Sequence, residues 1–102
     1  MFSKFLLGSI KIEDPVREVL GRTPLDLVSR HAVCEHGVVS PRRLKQNALS
    51  LSDAGEIQSE YLINPLNPKD GSVLVTTREG WGETVVTIKK YKQRKKSDDL
   101  DI

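Results

Sequence analysis

Residues 57–63 read IQSEYLI, residues 72–78 SVLVTTR and residues 84–91 TVVTIKKY. Val, Ile, Thr and Tyr dominate these runs, and branched or aromatic side chains suit a pleated, half-buried surface. The pattern predicts consecutive strands over 57–63, 72–78 and 84–90. Side chains alternate across a strand, so Ile57, Ser59, Tyr61 and Ile63 share one face. Thr84, Val86 and Ile88 share a face of the last strand, with Val85, Thr87 and Lys89 on the other. The connectors are NPLNPKDG and EGWGE. Pro65 and Pro68 cannot donate ladder hydrogen bonds, and Asp70-Gly71 suits the positive φ of a tight hairpin. Gly80 and Gly82 bracket Trp81. A Trp there either folds back onto the sheet, the commoner fate, or stands in solvent as a binding residue.

Working back along the chain, residues 4–12, KFLLGSIKI, read as a further strand with Leu6, Gly8, Ile10 and Ile12 on one face. Gly8 marks a bulge or a close approach. Helix starts follow at Asp14-Pro15, Thr23-Pro24 and Ser40-Pro41. In each, an N-cap oxygen precedes a Pro whose missing N–H costs nothing at the first helical position. The first helix runs from Pro15 to Leu20 and stops at Gly21. The second runs from Pro24 to about Val33, with Leu25, Val28 and Ala32 at helical spacing. The third runs from Pro41 to about Leu51 and is expected to bury Leu44, Ala48 and Leu51, showing Arg42, Lys45 and Gln46 to solvent. The order β-α-α-α-β-β-β indicates an α+β fold. We expect an antiparallel meander of three to four strands covered on one face by about three short helices. The second face is left for water, a partner or a second copy.

A chain of 102 residues holds one ordinary core, here assigned to residues 1–90, with 91–102 as a charged, flexible tail. The 29% charged and 37% hydrophobic fractions are those of a globular chain rather than a disordered one. No apolar run approaches the ~20 residues that span a bilayer, so no membrane association is expected. The opening MFSKFLLGSIKI breaks at Gly8 and lacks a small-residue cleavage site, which argues against a signal peptide. Cys34 is the single cysteine, so no internal disulfide forms, in keeping with a reducing cytoplasm.

Charge is unevenly spread. Residues 89–96, KKYKQRKK, hold six cations in eight positions. Without residues 89–102 the body keeps ten basic against eleven acidic residues, a net charge of −1. Lys89, Lys90, Lys92, Arg94, Lys95 and Lys96 are thus candidate phosphate contacts, and Tyr91 among them can stack on a base. The plainer reading is that Lys89 and Lys90 blunt a strand while the rest keeps the chain soluble. Arg42, Arg43 and Lys45 form a second basic group. They sit at the end of the third helix that disfavours cations, which hints at an acidic partner; the plainer reading is a solvated face with Glu or Asp neighbours in space.

The residues that carry chemistry gather at His31, Cys34, Glu35 and His36. Imidazole and thiolate suit zinc, but His31, Cys34 and His36 are the only soft ligands in the chain, too few for a closed site. A Cys–His nucleophile needs a lowered thiol pKa and an orienting group, and nothing in the sequence supplies them. The plain reading is a helix end, with the histidines near its carbonyls and Cys34 as filler. No metal, no other cofactor and no catalytic residue is expected.

Several segments together resemble a known family: FLLGSIKI, PLDLVSRH, NALSLSDAGEIQSEY and VLVTTREGWGETVVTI, spanning residues 5–88. The family comprises short uncharacterised bacterial proteins carried on plasmids and integrative elements, described as plasmid-related and sometimes as a restriction-system subunit. Arg30-His31 matches its Arg-His pair. The acidic-Trp-Gly stretch that usually follows is replaced by Cys34-Glu35-His36-Gly37, and the tail after residue 88 departs from the pattern. The resemblance implies a mobile-element setting in the bacterial cytoplasm and carries no activity.

Two functions fit these features. One is a non-enzymatic protein-interaction module, possible modulator of a host defence or plasmid-maintenance system. It would bind a protein partner or a second copy through the uncovered sheet face, with Trp81, Tyr61 and Val85 as candidate contacts. The alternative is an accessory nucleic-acid-binding protein using residues 89–96, aided by Arg42, Arg43 and Lys45.

Overall fold

The computed structural model describes residues 3–89. Its elements are β1 (Ser9–Ile12), α1 (Asp14–Leu20), α2 (Leu25–Ala32), α3 (Pro41–Asp53), β2 (Ile57–Leu62), β3 (Ser72–Thr77) and β4 (Glu83–Lys89), with a 3₁₀ turn at Pro68–Asp70. The α+β class is as expected. The three long strands begin and end within a residue of the predicted ranges, and β1 joins them as a fourth.

The sheet is mixed rather than wholly antiparallel. Its order is β1-β4-β3-β2, and β1 runs parallel to β4. A parallel neighbour needs a long crossover, and the three helices lie within it. β1 is also shorter than expected. Gly8 adopts φ 67°, which ends the extended run, and a Cβ on it would lie 2.2 Å from the Gly82 carbonyl carbon. The close approach read from Gly8 is therefore present, and it limits the strand to Ser9–Ile12.

Cross-strand register defines two faces. Ser59, Val75, Val86 and Ile12 form one row of the covered face, flanked by Tyr61, Val73 and Ile88. Val16 of α1 and Leu27 and Val28 of α2 pack on that surface with Tyr61, Val73, Val75 and Val86. Each fully buried aliphatic side chain contributes about 1.5–3 kcal/mol, so this cluster dominates the apolar stabilisation. α1 ends as expected: Gly21 takes φ 70° and returns its N–H to the Arg17 carbonyl.

α3 departs from expectation. Its buried residues are Asn47 and Ser50, not Leu44, Ala48 and Leu51. It lies along the outer edge of β2 rather than over the sheet. Asn47 Nδ2 donates to the Gln58 carbonyl at 2.8 Å, and Asn47 Oδ1 accepts the Gln58 N–H at 3.0 Å. The side-chain amide stands in for a neighbouring strand at that point. Two residues on, Glu60 N–H donates to the His36 carbonyl at 3.0 Å and its carbonyl accepts Val38 N–H at 2.8 Å. Unpaired strand edges invite pairing with other chains, and these two devices cover β2 at Gln58 and Glu60.

Candidate functional site

His31, in the last turn of α2, and His36, just beyond that helix, enter a buried chain of polar side chains. His31 projects from α2 onto the covered face and is 0% exposed. Its Nδ1 lies 2.6 Å from Ser59 Oγ on β2, and its Nε2 lies 2.9 Å from Thr77 Oγ1 on β3. Thr77 Oγ1 is 2.7 Å from Thr84 Oγ1 on β4, which donates to the Leu7 carbonyl at 2.6 Å. His36 Nδ1 is 2.8 Å from the same Ser59 Oγ. Phe5 closes the chain from above, edge-on to His31 at 5.2 Å.

Donor and acceptor arithmetic fixes every proton. The Leu7 carbonyl only accepts, so the Thr84 hydroxyl hydrogen goes there. Thr77 must then donate to Thr84, and His31 Nε2–H must donate to Thr77. A neutral His31 therefore accepts at Nδ1 from the Ser59 hydroxyl, and Ser59 accepts from His36 Nδ1–H. One carbonyl at the end orders the whole run. His36 is the other end of the run, and Ser50 Oγ is the buried side-chain polar atom without a partner among the described residues.

Both imidazoles are neutral at pH 7. Burial, reinforced by His36, pushes His31 down from its ordinary 6.5 to about 3. Burial also lowers His36. Cys34 is half-buried, and burial raises its thiol pKa despite the nearby Lys4. A raised pKa leaves it a protonated thiol, the opposite of an activated nucleophile. His31 has both ring nitrogens hydrogen-bonded to hydroxyls, so neither is open to a metal. Among the described residues no group of three or more His, Cys, Asp or Glu is gathered to hold one. Ser59, held between two imidazoles, has the contacts of an activated hydroxyl, but it is 0% exposed and no substrate reaches it. Glu35 pairs with Arg30 at 3.4 Å, and its carbonyl accepts the Tyr61 hydroxyl at 2.6 Å.

The basic group on α3 divides. Arg43 is turned inward, 3.2 Å from Glu56 and 3.4 Å from Asn47 Oδ1. Arg42 and Lys45 are exposed, in a first turn and a half without acidic residues. Arg42, Arg43, Ser40, Gln46 and Glu56 line a cleft of about 490 Å³. On the same helix Leu44 and Leu51 share one side and Leu49 lies on another, at 47%, 40% and 58% exposure.

The expected sheet-face contacts are corrected. Tyr61 lies on the covered face and is 4% exposed. Arg30 sits 4.7 Å over its ring. Val85 does face the uncovered side, but in a row between Thr76 and Lys11 that leaves it 6% exposed. Trp81 is half-buried and folded back: its indole N–H donates to the Gly55 carbonyl at 2.9 Å and its ring lies 5.6 Å from Phe5. Lys89 pairs with Glu60 at 3.6 Å. Lys90, Tyr91, Lys92, Arg94, Lys95 and Lys96 lie outside the described residues. No described helix is long and apolar enough to cross a membrane.

Ser59, Thr77, Thr84 and Asn47 organise the site, and none of them belongs to a local sequence motif. One signal was present. Ser59 falls between Ile57 and Tyr61 on the face expected to be buried, and a buried hydroxyl requires a partner. No family model, curated protein or solved structure matches the chain.

Proposed function

We propose that the chain is a non-enzymatic protein-interaction module, and that α3 presents its docking surface. The observation that supports this is the inverted placement of α3. A helix on a globular body normally turns its apolar side inward. Here Asn47 and Ser50 face in while Leu44, Leu49 and Leu51 face out. Exposed Arg42 and Lys45, on the side of the helix that carries Leu49, favour a partner segment with carboxylates among apolar side chains. The uncovered sheet face suits a partner less well, because its polar groups satisfy one another. Ser72 Oγ donates to Glu60 at 2.6 Å, and Gln58 Nε2 donates to Thr76 at 3.0 Å.

The bacterial, cytoplasmic, mobile-element setting, with modulation of a defence or plasmid-maintenance system, rests on the sequence resemblance alone. The second reading, nucleic-acid binding, is favoured by the six cations of residues 89–96. It is opposed by the slightly acidic body, which repels a polyanion lying across it.

Affinity capture from bacterial lysate separates the readings. Wild-type chain is expected to retain a protein partner after nuclease treatment, and Leu44→Glu/Leu51→Glu to lose it while keeping its thermal midpoint. Truncation after Tyr91 leaves that partner bound. A ligand that nuclease removes, with a log–log salt slope as steep as about −5, most of which the truncation removes, would establish the nucleic-acid reading instead.

A further inference from the structure

The two edges of the sheet are finished differently. On β2 the outward backbone groups of Gln58 are taken by Asn47, and those of Glu60 by His36 and Val38. On β1, Ser9 N–H and Glu13 N–H point inward, to the Gly82 and Val86 carbonyls, each at 3.1 Å. By alternation the backbone groups of Ile10 and Ile12 point outward. The Ile12 carbonyl accepts from Arg17 at 3.0 Å. Among the described residues the N–H and C=O of Ile10 and the N–H of Ile12 have no partner and form an open ladder site.

Side chains on this edge define what it accepts. Ile10 is 45% exposed on the covered-face side, where an incoming apolar side chain can lie against it. Lys11 is exposed on the opposite side, at the middle of the edge. Opposite charges across a strand pair attract and like charges repel. A second copy is a poor occupant: antiparallel pairing of two β1 strands with Ile10 against Ile12 places Lys11 directly against its counterpart. A short edge bearing a Lys guards against self-association, yet that same Lys attracts a strand with a carboxylate in register.

We propose that the β1 edge accepts, as a fifth strand, an extended segment of a partner protein in which an acidic residue between two apolar ones lies opposite Lys11. Main-chain hydrogen bonds to Ile10 and Ile12 hold the segment, and Lys11 selects its charge, the usual division of labour in strand addition. This site is separate from α3 and stands or falls independently of it.

The test is an amide NMR titration of the full chain with the capped peptide TVTVEVTVT, and with TVTVKVTVT as its charge-reversed control. The glutamate peptide should shift the Ile10 and Ile12 amides and bind roughly fivefold to tenfold more tightly than the lysine peptide, given the size of cross-strand charge effects. Lys11→Glu should reverse the preference. Ile10→Pro removes a donor that faces away from β4, so it should abolish binding of both peptides with Trp81 fluorescence unchanged; should that variant fail to fold, the Lys11→Glu reversal decides. The proposal is overturned if millimolar peptide leaves the Ile10 and Ile12 amides unmoved, if shifts centre on α3, or if the two peptides bind equally well.

Discussion

Ser59 Oγ carries the buried chain, because it accepts from His36 and donates to His31 through one small oxygen. Ser59→Ala removes both bonds and keeps the backbone. His31 Nδ1 is then buried without a donor, while His36 can redirect its N–H toward solvent. An unsatisfied buried polar group costs about 1–3 kcal/mol, so the variant should lose about 2 kcal/mol in urea unfolding. A loss under about 0.5 kcal/mol, the size of an ordinary surface change, would show that the chain of hydroxyls is not coupled to stability. The sequence made half of this legible. Strand alternation placed Ser59 on the inward face, but its partners stand 28 and 23 positions away, and no local pattern reports such a separation. A histidine at the end of α2 is expected near helix carbonyls, and His31 does lie in the last turn. It is instead held by hydroxyls from strands, because the covered face sets three polar residues where α2 crosses it.

At the scale of the element, three identical-looking helix starts behave in different ways. At Ser40 the side chain accepts the Arg43 N–H at 3.1 Å, a true cap. Thr23 makes no such bond. Pro24 takes φ −84° and ψ 59°, so α2 begins one residue later than its sequence suggests and Pro24 occupies the cap position. At α1 the cap position falls on Glu13 rather than Asp14, again without a side-chain bond. Ser40→Ala should therefore cost about 1 kcal/mol, the usual worth of a cap. Thr23→Ala should fall within the roughly 0.5 kcal/mol of surface substitutions. Equal urea midpoint shifts in the two variants would mean that the start of α2 is capped by Thr23 in solution. The Ser/Thr/Asp-Pro signature gave the existence of each helix but not its first residue, since that depends on how Pro itself is seated. The spacing of Leu44, Ala48 and Leu51 was equally legible and equally incomplete. It marks an apolar stripe, but which side of α3 meets the sheet was decided by the fit of Asn47 to an exposed strand edge, a tertiary contact that periodicity does not encode.

For the whole molecule, the buried histidines tie global stability to pH. His31 joins α2 to β2 and β3 directly and to β4 through Thr77, and lies beneath Phe5, so a change in its charge disturbs contacts between helix and sheet. Its pKa is about 3 when folded, against an ordinary 6.5 in the unfolded chain. Between those values the unfolded state binds a proton that the folded state excludes, so stability falls as pH falls. The contribution is whole above about pH 6.5 and declines by up to about 1.4 kcal/mol per pH unit below it. From pH 7 to pH 5, His31 alone should remove about 2 kcal/mol, and His36, lowered in the same sense, adds to the loss. Asp26, whose carboxyl is lowered chiefly by its hydrogen bond to Arg22, acts in a separate window, because its contribution declines only below its ordinary 3.8. Urea midpoints measured at pH 7.5, 6.0 and 5.0 should thus fall steadily. His36→Gln should reduce the slope without removing it, since His31 remains. A midpoint constant across that range would mean that the folded chain accommodates a protonated His31, with Ser59 turned to accept from it.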